Sequence, residues 1–158
     1  MLNDRIEQRW LAAFCEVFSR CKVGAGEQVA ILSETQSRPL NVTLARLALE
    51  QLGARVFEVC VPTPAQTAPV PVRSTGASQA LNGQDAVLAA LKEVTLVVDL
   101  TVEGLLHAPQ LPAILGAGAR VLMVSNEHPD ALERLLPIDE DAHRVRRAIK
   151  PCRGANTM

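Results

Sequence analysis

The sequence has no tyrosine and few aromatic residues of any kind: Trp10, Phe14, Phe18 and Phe57 make up 3% of its 158 residues. That excludes a protein that holds single-stranded nucleic acid by stacking bases on successive rings. It also lacks an excess of either charge. Sixteen Lys and Arg face 17 Asp and Glu, for a net charge of -1, so no long-range field draws the chain to nucleic acid or to anionic lipid. No apolar run approaches the roughly 20 residues that a bilayer-spanning helix needs. The longest runs have strand length, such as Leu96-Val97-Val98 and Val121-Leu122-Met123-Val124. The N-terminus, Met1-Leu2-Asn3-Asp4-Arg5, has neither the basic start nor the apolar centre of a signal peptide. The expectation is a cytoplasmic protein with neither nucleic acid nor membrane as a partner. Cysteine is scarce and unpaired in pattern: Cys15, Cys21, Cys60 and Cys152 form no CxxC, and they read as small buried hydrophobes or free thiols.

What is present is an ordinary globular composition, 48% hydrophobic and 21% charged. A chain of this length buries roughly 68–70% of its unfolded surface, so it needs no disulfide or metal to fold. Leu2 to Cys21 reads as an amphipathic helix, with Ile6, Trp10, Ala13, Phe14, Val17 and Phe18 at three- and four-residue steps. A first strand runs from Gln28 to Ser33. A helix over Pro39 to Leu52 follows, with Ser37 as its expected N-cap and Gly53 as its stop. A second strand covers Arg55 to Val61. Pro62, Pro64, Pro69 and Pro71 then mark an extended loop over 62–72. The remaining periodicities give a helix over Ala80 to Leu91, a third strand over Val94 to Asp99 and a short helix over Pro109 to Leu115. A fourth strand over Arg120 to Val124 is followed by helices over Pro129 to Leu136 and Asp139 to Lys150. Short, almost wholly apolar strands alternating with helices predict an α/β fold: an open, parallel four-stranded sheet with helices on both faces. Right-handed crossovers give the strand order 2-1-3-4, with a switch point between the first and third strands. The expected organisation is one domain over residues 1–150 and a short tail over 151–158.

Ligands of such sheets bind beyond the carboxyl ends of the strands. Those ends offer Ser33-Glu34-Thr35, Asp99 and Ser125-Asn126-Glu127-His128. The candidate site residues are Glu34, Asp99, His107 and Asn126, with His107 eight positions beyond Asp99 and His128 at the same rim. The same residues serve equally well as caps and solvated loop ends, and no catalytic residue is assigned among them. Several chemistries are absent. Gly24-Ala25-Gly26 precedes its strand, whereas a dinucleotide fingerprint must follow one and open a helix. Gly116-Ala117-Gly118 closes a helix. There is no P-loop lysine, no GxSxG elbow and no HExxH, and His107, His128 and His143 stand singly. A receiver domain needs paired acids after its first strand, where only Glu34 stands. No metal site is expected in this chain. The last helix carries basic Arg144, Arg146, Arg147 and Lys150 on a solvated face and an apolar stripe of Ala142, Val145, Ala148 and Ile149.

The order of segments resembles the N-terminal domain of the 2,5-dihydroxypyridine 5,6-dioxygenase family, related to the leucyl aminopeptidase T family. The likeness is carried by Glu27-Gln28-Val29-Ala30-Ile31-Leu32, by Leu52-Gly53-Ala54-Arg55-Val56-Phe57-Glu58-Val59, and by Leu96-Val97-Val98-Asp99 with Leu105-Leu106-His107-Ala108-Pro109. Gly118-Ala119-Arg120-Val121-Leu122 and Leu135-Leu136-Pro137 continue it. The resemblance covers about residues 10 to 150 and implies Fe(II)-dependent, O₂-consuming cleavage of a pyridine-diol ring in nicotinate breakdown. It also implies that the iron is held by two histidines and one carboxylate in a C-terminal domain, so Fe(II) is expected in a full-length homologue and no ligand maps here. The expectation is a truncated chain, inactive alone, whose partner is the missing C-terminal catalytic domain or a second copy through the last helix. An aminopeptidase T-like metallopeptidase and a non-enzymatic α/β binding domain remain the alternatives.

Overall fold

The computed structural model describes residues 5–65, 76–136, 141 and 143–147. Its four strands are β1 (Gln28–Glu34), β2 (Arg55–Val61), β3 (Leu96–Asp99) and β4 (Arg120–Met123). Its helices are α1 (Gln8–Arg20), α2 (Pro39–Gln51), α3 (Asp85–Lys92), α4 (Leu111–Gly116) and α5 (Pro129–Arg134). The sheet is parallel throughout, in the order β2-β1-β3-β4. This is the α/β architecture and strand order that the apolar strands predict. Strands β1 and β3 lie at the centre of the sheet, and their middle residues Val29 to Leu32 and Leu96 to Val98 are buried and all apolar.

Two cores result. On one face Trp10, Phe14 and Phe18 of α1 and Leu44, Ala48 and Leu49 of α2 pack on Val29, Ile31, Leu96 and Val98, with Leu132 of α5 at the margin. On the other face Leu91 of α3 and Ile114 of α4, with Leu81, Leu105 and Ala108, pack on Ala30, Leu32 and Val97. The alternation along β1 therefore sends Val29 and Ile31 to one core and Ala30 and Leu32 to the other.

Several boundaries differ from the periodicity. Helix α1 starts at Gln8 rather than Leu2, and Ile6 is exposed outside the core. Ser37 is not the N-cap of α2. Arg38 holds that position without a side-chain cap, and Ser37 turns inward, where its Oγ accepts from Glu34 N at 2.7 Å and donates to Leu100 O at 2.7 Å. The third helix begins at Asp85, not Ala80, since Gly83 at φ 70° breaks the helical path. Ala80 and Leu81 still reach the core from the turn. Residues 143–147 are helical. Most of the proline-rich segment, Cys152 and the 151–158 tail lie outside the described residues. The three described cysteines, Cys15, Cys21 and Cys60, are free.

Candidate functional site

Strands β1 and β3 end side by side at the switch point, and each ends on a buried acid. Leu32 pairs with Asp99 in the register, so Glu34 extends two residues beyond Asp99 along the adjacent strand. Glu34 is buried, and its Oε1 accepts from Ser78 Oγ at 3.1 Å and from Val102 N at 3.3 Å. Burial pushes the Glu34 carboxyl above its ordinary pKa, partly offset by the Ser78, Thr63 and Val102 donors, and nearby Asp99 adds to the rise. Asp99 has no exposed surface. Its Oδ1 accepts from Thr101 N at 3.0 Å and Thr101 Oγ1 at 2.6 Å, and its Oδ2 accepts from Leu105 N at 2.7 Å. Burial raises the Asp99 pKa too, against those three hydrogen bonds. Thr101 Oγ1 in turn accepts from Gly104 N at 3.1 Å. The Asp99 side chain thus shapes the turn that follows β3.

Asn126 closes the neighbouring side of the rim. Its Oδ1 accepts from Arg38 N at 2.6 Å and its Nδ2 donates to Gln36 O at 3.4 Å, which ties the β4–α5 loop to the β1–α2 turn. Asn41 works alongside it: its Nδ2 donates to Ser125 O at 3.2 Å and Glu127 O at 2.9 Å. No motif marks Asn41 in the sequence. The available signal was a buried-type position, between Leu40 and Leu44 on the apolar stripe of α2, filled by an amide. On the other side Thr35 Oγ1 donates to Thr63 Oγ1 at 3.2 Å, and Thr63 Oγ1 accepts from Gln36 N at 3.0 Å.

The histidines stand apart from the acids. His107 is exposed, and its backbone N–H donates to Gly76 O. Among the described residues no hydrogen bond or ion pair joins it to Asp99. His128 caps α5, with Nδ1 accepting from Asp130 N at 3.3 Å, and its ring meets Trp10 edge-on at 4.9 Å. It belongs to the α1–α5 contact, where Trp10 Nε1 donates to Asp130 Oδ1 at 2.5 Å. That hydrogen bond, with Arg9 and His128, holds the Asp130 carboxyl below its ordinary pKa.

The structure thus gathers Glu34 and Asp99, ties Asn126 to the turn that follows Glu34, and leaves His107 on the surface. These residues do not fit a ferrous centre. Among the described residues no three His, Cys, Asp or Glu side chains converge, and both buried carboxylates face N–H and O–H donors that a cation would have to displace. What the arrangement does chemically is fix four loop ends and hold two acids in a poorly hydrated setting. No helix among the described residues is long and apolar enough to cross a membrane.

Comparison with known proteins adds a different kind of observation. The sequence profile of the 2,5-dihydroxypyridine 5,6-dioxygenase family matches residues 9–158. A 2,5-dihydroxypyridine 5,6-dioxygenase of Pseudomonas putida KT2440 is 34% identical over 134 residues, covering 84% of this chain and 37% of that protein. A solved structure of the 2,5-dihydroxypyridine dioxygenase of the same organism superposes with a TM-score of 0.76 at 33% identity, over 88% of this chain and 40% of that one. The chain therefore spans well under half the length of the relatives it matches.

Proposed function

The chain belongs to the 2,5-dihydroxypyridine 5,6-dioxygenase family, and on that premise we propose that it supplies the iron-free N-terminal domain of a ring-cleaving dioxygenase acting on 2,5-dihydroxypyridine in the cytoplasm. The observation that carries this reading is the match over residues 9–158, which takes in all four strands and the whole acidic rim. In this reading ferrous iron sits in the rest of the enzyme, where its open coordination positions accept substrate and O₂. The role of the present chain is architectural and positional. The Glu34, Asp99 and Asn126 hydrogen bonds fix the loops at the carboxyl end of the sheet, and a rigid rim offers the catalytic part a surface of constant shape. By itself the chain is inactive.

The test joins this chain to the remaining part of the Pseudomonas putida relative and compares the joined protein with the chain alone. The chain alone should carry only traces of iron after tag-free purification and should consume no O₂ with 2,5-dihydroxypyridine. The joined protein should retain near-stoichiometric iron and consume O₂ with that substrate. Near-stoichiometric iron in the chain alone would overturn the iron-free assignment.

A further inference from the structure

We propose that the glycine-lined patch bearing Leu106 and Met123 is the surface on which the iron-carrying part of the same enzyme docks. The inference rests on the dioxygenase reading above and names the partner surface within it. Leu106 is 59% exposed and Met123 41% exposed, yet neither side chain lies over open solvent-facing backbone by accident. A Cβ built on Gly76, at φ +72°, would stand 2.8 Å from Leu106 Cβ, and one built on Gly104, at φ +81°, would collide with Met123 Sδ. Both apolar side chains therefore lie flush against glycines that leave room for them. Gly76 N donates to Glu103 O at 2.7 Å and Ser78 N donates to Gly104 O at 2.9 Å, which binds the two glycine turns into one strip. Asp99 supports that strip from below through Leu105 N and Thr101.

The position of the patch argues for its occupant. It lies at the carboxyl ends of β3 and β4, the edge where open α/β sheets meet their ligands. Among the described residues edge strand β4 pairs with β3 alone, and Met123 sits at its last position, opposite Asp99. Relatives of this chain are far longer than the part it matches, at 37% and 40% coverage, so they contain further polypeptide able to pack on a domain of this kind. Interfaces between domains of one chain cover about 600–1,500 Å² and are more polar than obligate ones. Two exposed apolar side chains on hydrogen-bonded glycine turns make a suitable centre for such a contact.

Met123 also supplies the readout. The chain has three methionines, and peroxide oxidation of Met123 can be measured by mass spectrometry against Met1 as the internal reference. In the chain alone Met123, 41% exposed, should oxidise readily and at a rate independent of protein concentration. In the joined protein it should oxidise roughly tenfold more slowly, as a thioether does when it passes from surface to interface. Leu106→Asp should leave the melting temperature of the chain alone unchanged and return Met123 of the joined protein to fast oxidation. Equal rates in the chain alone and the joined protein overturn the proposal. So does slow oxidation in the chain alone. If that slow rate depends on concentration a second copy covers the patch, and if it does not the chain's own residues do. Protection without O₂ consumption sinks the ring-cleavage reading and keeps the docking surface, whereas consumption without protection does the reverse. If the joined protein fails to fold, the remainder is added as a separate polypeptide, and an unchanged Met123 rate then overturns the proposal.

Discussion

Both oxygens of Asp99 are occupied by its own loop, and that fact decides what substitution does. Asp99→Ala leaves the amides of Thr101 and Leu105 buried without an acceptor, at about 1–3 kcal/mol for each orphaned group. Asp99→Asn keeps one acceptor oxygen but turns an NH₂ toward a second donor, so it should fall between Asp99→Ala and the native protein. Urea denaturation with an unchanged slope checks the order, and an Asp99→Ala protein as stable as the native one would show the turn is held by something else. Glu34 makes a separate statement about pH. Its folded-state pKa is raised above the ordinary 4.5, first by burial, so the folded state binds a proton more readily than the unfolded chain. Stability from this group is greatest at low pH and declines as pH rises from its ordinary pKa through the raised one. Asp130, held low chiefly by Trp10, acts in the opposite sense: its contribution is present at neutral pH and is lost on acidification. Glu34→Gln should remove the first dependence and leave the second, so that the variant gains stability relative to the native protein at pH 7 compared with pH 5. A parallel pH profile in variant and native protein would contradict the burial argument.

Helix α5 has six residues, well short of the ~12–15 at which an isolated helix becomes even marginally stable in water. Its order comes from outside itself. Trp10 Nε1 donates to Asp130, Arg9 pairs with Asp130 and Glu133 at 3.2 Å each, and Asn41 grips the preceding loop. Trp10→Phe keeps most of the buried ring but removes the donor. The expected result is faster hydrogen exchange confined to the amides of α5, with those of β1 and β3 unchanged; acceleration across the sheet would mean that Trp10 matters as core volume rather than as a clamp. The same contrast separates what the sequence makes legible from what it does not. The order, direction and burial of the strands follow from apolar runs such as Val29-Ala30-Ile31-Leu32 and Leu96-Val97-Val98, because a two-faced core leaves no alternative pattern. The acids ending β1 and β3 are legible by position. Their roles are not, since Asp99 is satisfied locally while Glu34 is satisfied by Ser78, 44 residues away. Ser37 illustrates the loss most directly: a local rule makes it a helix cap, and a bond to Leu100, 63 residues on, takes it elsewhere. The Arg38–Asn126 bond, spanning 88 residues, has no local signature at all.

At the scale of the molecule, each face of β1 and β3 already has a filled core, so the remaining exposed apolar side chains are surplus to the fold. Val145 is one of them, 56% exposed within the helical residues 143–147. Its former companions in the sequence stripe, Ala142, Ala148 and Ile149, fall outside the described residues. If Val145 packs on no core of this chain, Val145→Glu should change the free energy of unfolding by no more than about 0.5 kcal/mol, the usual range for a surface change. The same change should reduce any self-association through this helix, because burying a charge in an apolar contact without a partner is costly. Sedimentation velocity over a range of concentrations measures that second effect independently of the first. Val145→Glu and Leu106→Asp then report on two separate surfaces. A chain that self-associates through 143–147 should lose the association with Val145→Glu alone, while Met123 oxidation stays fast in both forms. The surplus-surface argument fails if Val145→Glu unfolds the chain, since Val145 would then belong to the core of the fold.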